Sequence, residues 1–287
     1  MNIKMIKSLM DLLRGIIRKP FKTVTYFFTS FSVLFTIVRM IVYFVPSIKF
    51  DGVIPLIIML CISLGFTLKK VWKPSKVVIP IPNTATKIEI VFGDIFNQDG
   101  IRVIPANEYF DSKLGLPVSE NSLHGIFINK CFGGHPESFD KQVEEGLSGK
   151  ESEVVNNKID GNFRKYEIGT SVLMEADSKK YLVFAFAHTN ESTCKAFIDV
   201  KDTWIALHEM WSSLRIFSGG SAVNLPLIGS GISGLGLPTR DILNLIILSA
   251  ITETKNKEVT KLIRVILHRD RFDDLDLREI KDYWEKK

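Results

Sequence analysis

The stretch Pro226-Leu-Ile-Gly-Ser-Gly-Ile-Ser-Gly-Leu-Gly-Leu-Pro238 decides how the rest of the chain is read. Ahead of it, Ala222-Val-Asn-Leu-Pro-Leu-Ile228 is apolar and predicts a buried strand. Behind it an amphipathic stretch predicts a helix that Thr239 can cap. Gly229, Gly231, Gly234 and Gly236 therefore lie between a strand and a helix. Without Cβ atoms they let the backbone approach a ligand closely. They also leave N–H groups that can point at an anion. The same spacing fits a tight connection with no ligand, so the loop acquires meaning only from its surroundings.

Outward from this loop the chain alternates strands and helices. Strands are expected at Lys87–Phe92, Ile101–Ala106, Tyr166–Glu175, Lys180–His188, Ala222–Ile228 and Leu262–His268. Helices are expected at Leu123–Cys131, Glu137–Glu145, Lys201–Phe217, Thr239–Thr254 and Asp274–Trp284. Trp204, Leu207, Trp211 and Leu214 form an apolar stripe that reads as core. Alternation of this kind predicts an α/β domain whose sheet is covered on both faces. The polar stretch Gly146–Asn162 reads as an exposed hairpin or loop.

Ligands of such sheets collect at the carboxyl ends of the strands. Three segments end there. The first strand runs into Gly93-Asp94-Ile95, the second into Pro105-Ala106-Asn107-Glu108, and the fifth into the glycine loop. An aspartate after a strand can accept from an exocyclic amine such as that of adenine, and an asparagine can bond ribose hydroxyls. Loop amides suit a diphosphate. Each residue also has a local reading: Asp94 can cap a turn, and Asn107 can satisfy backbone.

The N-terminal part is of another kind. Val24–Val45 holds one charged residue, Arg39, in 22 positions. As a helix it reaches roughly 33 Å, enough to cross a bilayer. Gly52–Leu68 holds no charge in 17 positions and reaches roughly 25 Å, with Lys69 and Lys70 placed to snorkel. The turn Pro46–Asp51 joins them, so residues 23–70 read as a transmembrane hairpin. A cleaved signal peptide fits poorly, because no small-residue cleavage site follows Val45 and a second apolar run comes directly after. Residues 1–22 predict a basic amphipathic helix on the membrane surface. Basic residues flank the hairpin on both outer sides, so both termini are expected in the cytoplasm, with the hairpin in the bacterial inner membrane. Residues 71–86, with three prolines, read as a stiff linker to a domain over residues 87–287.

Thr25, Thr29, Ser32, Thr36, Arg39 and Tyr43 recur at helical spacing along one stripe of the first span. Two readings stay open: Arg39 snorkels outward, or Thr29, Ser32, Thr36 and Arg39 line a seam or pore between protomers. Two helices enclose no channel, so a pore requires a homo-oligomer, for example a tetramer.

The net charge of +5 resides largely in the residues beside the spans, where it attracts anionic lipid rather than nucleic acid. Cys61, Cys131 and Cys194 are scattered, as are the five histidines. No metal spacing or disulfide framework follows, so neither a metal nor a cofactor is expected.

The domain resembles the macro domain, an ADP-ribose-binding module with a three-layer α/β/α fold and a mixed sheet. Its Gly-Asp-Ile-Thr motif is similar to Gly93-Asp94-Ile95-Phe96, its Asn-Ala-Ala-Asn segment to Ile104-Pro-Ala-Asn107, and its diphosphate loop to Ile228–Gly234. The resemblance covers roughly Lys87–Arg271. It implies that Asp94 and the Ile95 amide hold adenine, that Asn107 faces the distal ribose, and that Gly229, Ser230, Gly231, Ile232, Ser233 and Gly234 wrap the diphosphate. The family's first glycine-rich loop corresponds to Asn121-Ser-Leu-His-Gly125, with one glycine; Leu123, His124 and Gly125 would meet the ligand there. No catalytic residue is assigned.

The order of the parts, two membrane helices and then a macro-like domain, resembles the membrane effector of type II Thoeris antiphage defence. That resemblance implies an ADP-ribose-derived signal, histidine–ADP-ribose, made by a Toll/interleukin-receptor-domain enzyme, and a membrane part that then assembles and damages the bilayer. A membrane-tethered ADP-ribosyl hydrolase and a passive ADP-ribose-binding scaffold are the alternatives.

Overall fold

The computed structural model describes residues 12–13, 16–17, 20–48, 50, 52–231, 234–272 and 274–285. The amphipathic segment expected over residues 1–22 lies mostly outside them. The chain forms two compact units, one built on the N-terminal helices and the other beginning at Lys76.

In the first unit, α1 spans Pro20–Phe44 and α2 spans Val53–Val71. Both are long and apolar enough to cross a membrane. The half-covered positions of α1 include Phe27, Phe31, Leu34 and Val38, spaced along one face. Phe27, Phe31 and Phe35 stack along the helix. On α2, Ser63 and Thr67 are buried at four-residue spacing, and Thr67 Oγ1 donates to the Ser63 carbonyl at 2.8 Å. A hydroxyl that back-bonds to its own helix meets its hydrogen-bonding need without water.

The second unit is an α/β domain. Its strands are β1 (Lys76–Pro80), β2 (Lys87–Phe92), β3 (Ile101–Asn107), β4 (Glu153–Val154), β5 (Arg164–Lys165), β6 (Ser171–Ala176), β7 (Lys179–Thr189), β8 (Ala196–Phe197), β9 (Val223–Pro226) and β10 (Leu262–Leu267). Its helices are α3 (Leu123–Phe132), α4 (Glu137–Gly146), α5 (Val200–Phe217), α6 (Thr239–Asn256) and α7 (Leu277–Glu285). The main sheet has the order β1-β2-β10-β9-β3-β7-β6, with β8 added to the end of β7. β2, β10, β9, β3 and β7 are parallel; β1, β6 and β8 pair antiparallel. The sheet is mixed, as expected.

Burial explains the layering. β7 is apolar almost throughout, as a central strand covered on both faces must be. Tyr181, Val183 and Ala185 join Phe127, Phe139 and Val143 of α3 and α4 in one core cluster. The alternate residues Leu182, Phe184 and Phe186 are also buried, and α5 packs on β7. Trp211 of α5 is fully buried and its Nε1 donates to Ser249 of α6 at 3.1 Å.

Several expectations are corrected. Lys76–Pro80 lies in what reads as linker, yet it forms the edge strand β1, with Val77 and Ile79 buried. Its single proline, Pro80, is compatible with a sheet edge, where a missing N–H costs no ladder bond. The strand expected from Tyr166 begins at Ser171, because Gly169, at φ +93°, turns the chain first. Trp204 is 40% exposed and does not join Leu207, Trp211 and Leu214 in the core. The polar stretch after α4 forms the expected hairpin, β4 paired with β5, but it is not exposed throughout: Val155 and Lys158 are buried. Trp211→Ala should lower the unfolding free energy of the domain by about 3–5 kcal/mol in denaturant titration, the cost of a buried aromatic and its cavity.

Candidate functional site

Five parallel strands place Gly93, Glu108, Asn190, Leu227 and His268 just past their carboxyl ends, along one edge of the sheet. β9 delivers the glycine loop there. Gly229 adopts φ +87° and Gly236 φ +67°, conformations that side chains rarely take. The Gly229 carbonyl accepts from Leu235 N at 3.0 Å, so the loop closes on itself. A Cβ on Gly234 would lie 2.6 Å from the Gly231 carbonyl oxygen. Gly231 is different: a Cβ there meets nothing within 4 Å. Two of the four glycines thus serve φ, one serves packing, and Gly231 faces open space. Ser230 Oγ donates to the Leu227 carbonyl at 2.7 Å and steadies the loop from within. Ile232 and Ser233 lie outside the described residues.

The loop leads into α6. Thr239 is the first helical residue rather than the cap; Pro238 holds the cap position, and no side chain caps the first turn. The positive end of an 18-residue helix therefore carries no side-chain cap beside the loop. Gly229, Gly231, Gly236, Thr239 and Arg271 are among the residues that line a cavity of about 270 Å³ here.

Asp94, two residues past the end of β2, caps the short 3₁₀ turn Ile95–Asn97, which contacts β9. One carboxylate oxygen accepts from Phe96 N at 2.9 Å. The other lies 3.2 Å from Asn97 Nδ2 and 3.4 Å from Lys130 Nζ. The Asp94 side chain remains 44% exposed, so capping and ligand contact are compatible. Ile95 is buried.

Asn107 is committed to its own loop. Its Oδ1 accepts from Tyr109 N at 3.2 Å and Asp111 N at 3.1 Å, and its Nδ2 donates to Asp111 at 2.8 Å. Asp111 is fully buried, and both its oxygens sit 2.8 Å from Lys158 Nζ. Asn162 N adds a third donor to Asp111 at 2.6 Å. Burial pushes the Asp111 carboxyl above its ordinary range while Lys158, Asn162 and Asn107 pull against it. The β4–β5 hairpin is thereby locked onto the loop after β3.

The segment Leu123–Gly125 starts α3, with Ser122 as its cap. His124 is 6% exposed and stands 5.4 Å from the Phe139 ring; burial pushes its pKa down to about 4. A Cβ on Gly125 would lie 2.2 Å from the Ser119 carbonyl oxygen, so this glycine permits close backbone packing. His124 and Gly125 are core positions in this conformation, and Leu123 is half-buried. In the other unit, Thr29, Ser32, Thr36 and Arg39 are all exposed on α1.

Residues 88–268 match the family model described as Thoeris protein ThsA, Macro domain. The chain belongs to that family. Among solved structures, the macrodomain of Oceanobacillus iheyensis with ADP aligns over 74% of this chain and 98% of its own, at 15% identity and a TM-score of 0.50. A mutant of that macrodomain with ADPR aligns over 74% and 100%, at 15% identity and a TM-score of 0.51. These likenesses show the macrodomain fold. No curated protein matches the chain.

Two features of this ThsA macro domain were not singled out from sequence. Arg271 reaches the cavity from the segment after β10; only the rule that ligands collect beyond strand ends could have pointed there. The second is a clamp. His188, at the end of β7, places Nδ1 2.8 Å from Glu108 and Nε2 2.9 Å from Asp202, while Lys165 Nζ lies 3.7 Å from Glu108. An imidazole donates from both nitrogens only as the cation. Burial lowers the His188 pKa, but the two carboxylates outweigh it and raise the value above its ordinary range. No sequence spacing brings Glu108, His188 and Asp202 together.

Two outcomes follow from these contacts. Lys158→Ala strands a buried carboxylate and should cost about 3–5 kcal/mol in denaturant unfolding. A raised folded-state pKa means that the His188 contribution is fully present below the unfolded value and fades as pH rises through the folded one. The stability gap between native protein and His188→Gln should therefore be largest near about pH 6 and small near about pH 9. A gap of constant size would contradict a charged clamp.

Proposed function

We propose that this macro domain binds an ADP-ribose-type ligand at the glycine loop and that the chain is a ligand-gated membrane effector. The observation that carries the reading is the loop itself. Gly231 faces open space at the carboxyl edge of the sheet, beside the uncapped start of α6. Backbone amides and a helix N-terminus there suit a diphosphate. The Asp94–Ile95 turn beside β9 suits an adenine amine. The family match over residues 88–268 and the macrodomain fold support the same ligand class.

We assign binding rather than turnover. The carboxylate nearest Asn107, Asp111, is sealed from solvent and ion-paired with Lys158, so it is poorly placed to activate a water. The ligand is an ADP-ribose derivative, with histidine–ADP-ribose as the specific proposal and a Toll/interleukin-receptor-domain enzyme as its source. α1 and α2 are proposed to cross the inner membrane and to meet in a homo-oligomer, where the exposed Thr29, Ser32, Thr36 and Arg39 line the contact. A ligand shifts such an equilibrium only by its preference for the assembled state. Going from about 1% to about 99% assembled takes roughly 5.5 kcal/mol of preference, which several protomers can share.

The test uses the full chain reconstituted in dye-loaded liposomes. ADP-ribose or histidine–ADP-ribose should bind, and the effective one should release dye. Gly231→Ala should leave the loop's fold intact, because its Cβ meets no protein atom within 4 Å, and should weaken binding far less than a charged residue does. Gly231→Glu should weaken binding by at least about 100-fold through charge repulsion and lost space, and abolish release. Equal binding by native protein and Gly231→Glu would overturn the site. Binding without release would overturn the effector reading and leave a scaffold, and turnover of ADP-ribosylated protein would establish the hydrolase.

A further inference from the structure

We propose that Arg271 is the cation that holds the ligand's phosphate in the glycine-loop cavity, and that Asp274 is a built-in competitor for it. The inference rests on the binding reading above and adds a residue and a regulatory device to it. The cavity walls supply hydroxyl, apolar and backbone groups; among the described lining residues, Arg271 is the only charged one. Neutral N–H donors bind phosphate weakly in water unless a fixed charge adds to them. Arg271 provides that charge from the end of the neighbouring strand, because it follows β10, which pairs with β9.

Its backbone is held in place. Arg271 N donates to the His268 carbonyl at 3.0 Å, and the adjacent Phe272 packs edge-on against Phe92 at 5.0 Å. Only the side chain has a choice of partner. Nη1 lies 3.2 Å from Asp274 Oδ2, three residues on, with both side chains 43% exposed. An exposed ion pair with one such contact stabilises the resting state only weakly. A guanidinium on a phosphate makes two parallel, charge-assisted bonds and is stronger. Phosphate should therefore displace Asp274. Asp274 sets a threshold: a ligand without a phosphate group at this position gains nothing for breaking the pair.

The experiment is calorimetric titration of the full chain in detergent with ADP-ribose, pyrophosphate and adenosine. Arg271→Gln should weaken ADP-ribose and pyrophosphate by about tenfold or more and flatten the salt dependence, with adenosine unaffected. Arg271→Lys should recover part of the loss, since it keeps charge without the bidentate fork. Asp274→Asn should tighten both phosphate ligands severalfold. Arg271→Gln binding like native protein would overturn the proposal while leaving the glycine-loop reading intact. Asp274→Asn weakening binding as Arg271→Gln does would also overturn it, by making the pair a structural brace. If native protein binds pyrophosphate through Arg271 but not ADP-ribose, the phosphate contact stands and the ADP-ribose reading fails. Binding of neither ligand overturns both.

Discussion

Parallel alignment of β2, β10, β9, β3 and β7 is the constraint on which everything else rests. It places five strand ends along a single edge, so segments far apart in sequence become neighbours. The glycine loop and Arg271 line one cavity there, and the Asp94 turn contacts β9, for that reason. The layering that buries Trp211 on one side and Phe127 and Phe139 on the other keeps those ends fixed. A site assembled from backbone amides needs such a rigid base, because amides cannot rotate to find a ligand as side chains can.

The proposed site divides its work between backbone and charge. In the glycine loop, Gly229, Gly234 and Gly236 shape the turn, and Gly231 leaves room. At the carboxyl ends of β3 and β7, two internal ion networks brace the loops: Lys158 with Asp111 and Asn107, and His188 with Glu108 and Asp202. Both tie the end of β3 to later parts of the chain, the first to the β4–β5 hairpin and the second to α5. Asn107 therefore has a structural duty here, whatever further contact it makes on ligand binding.

Much of the fold was legible because periodicity and burial agree along β2, β3, β7, β10 and the helices α3 to α6. β1 was hidden because prolines near a sheet edge look like those of a linker. Trp204 was misplaced because helical spacing tells which residues share a stripe but not where the stripe ends. Thr239 looked like a cap by residue type, but Pro238 occupies that position. His124 and Gly125 resembled ligand contacts by their place in a family motif, while their surroundings are Phe139 and the Ser119 carbonyl. The Asp94 cap and the glycine turn could be read because turn chemistry is local. Arg271 and the His188 clamp could not, since each depends on pairing between strands distant in sequence.

The most direct measurement is amide hydrogen exchange of the full chain with and without saturating ADP-ribose. The account predicts slowed exchange from Gly229 to Leu237, in the first turn of α6, and at the Asp94–Ile95 turn. Slowing confined to other parts of the domain, with these amides unchanged, would contradict it.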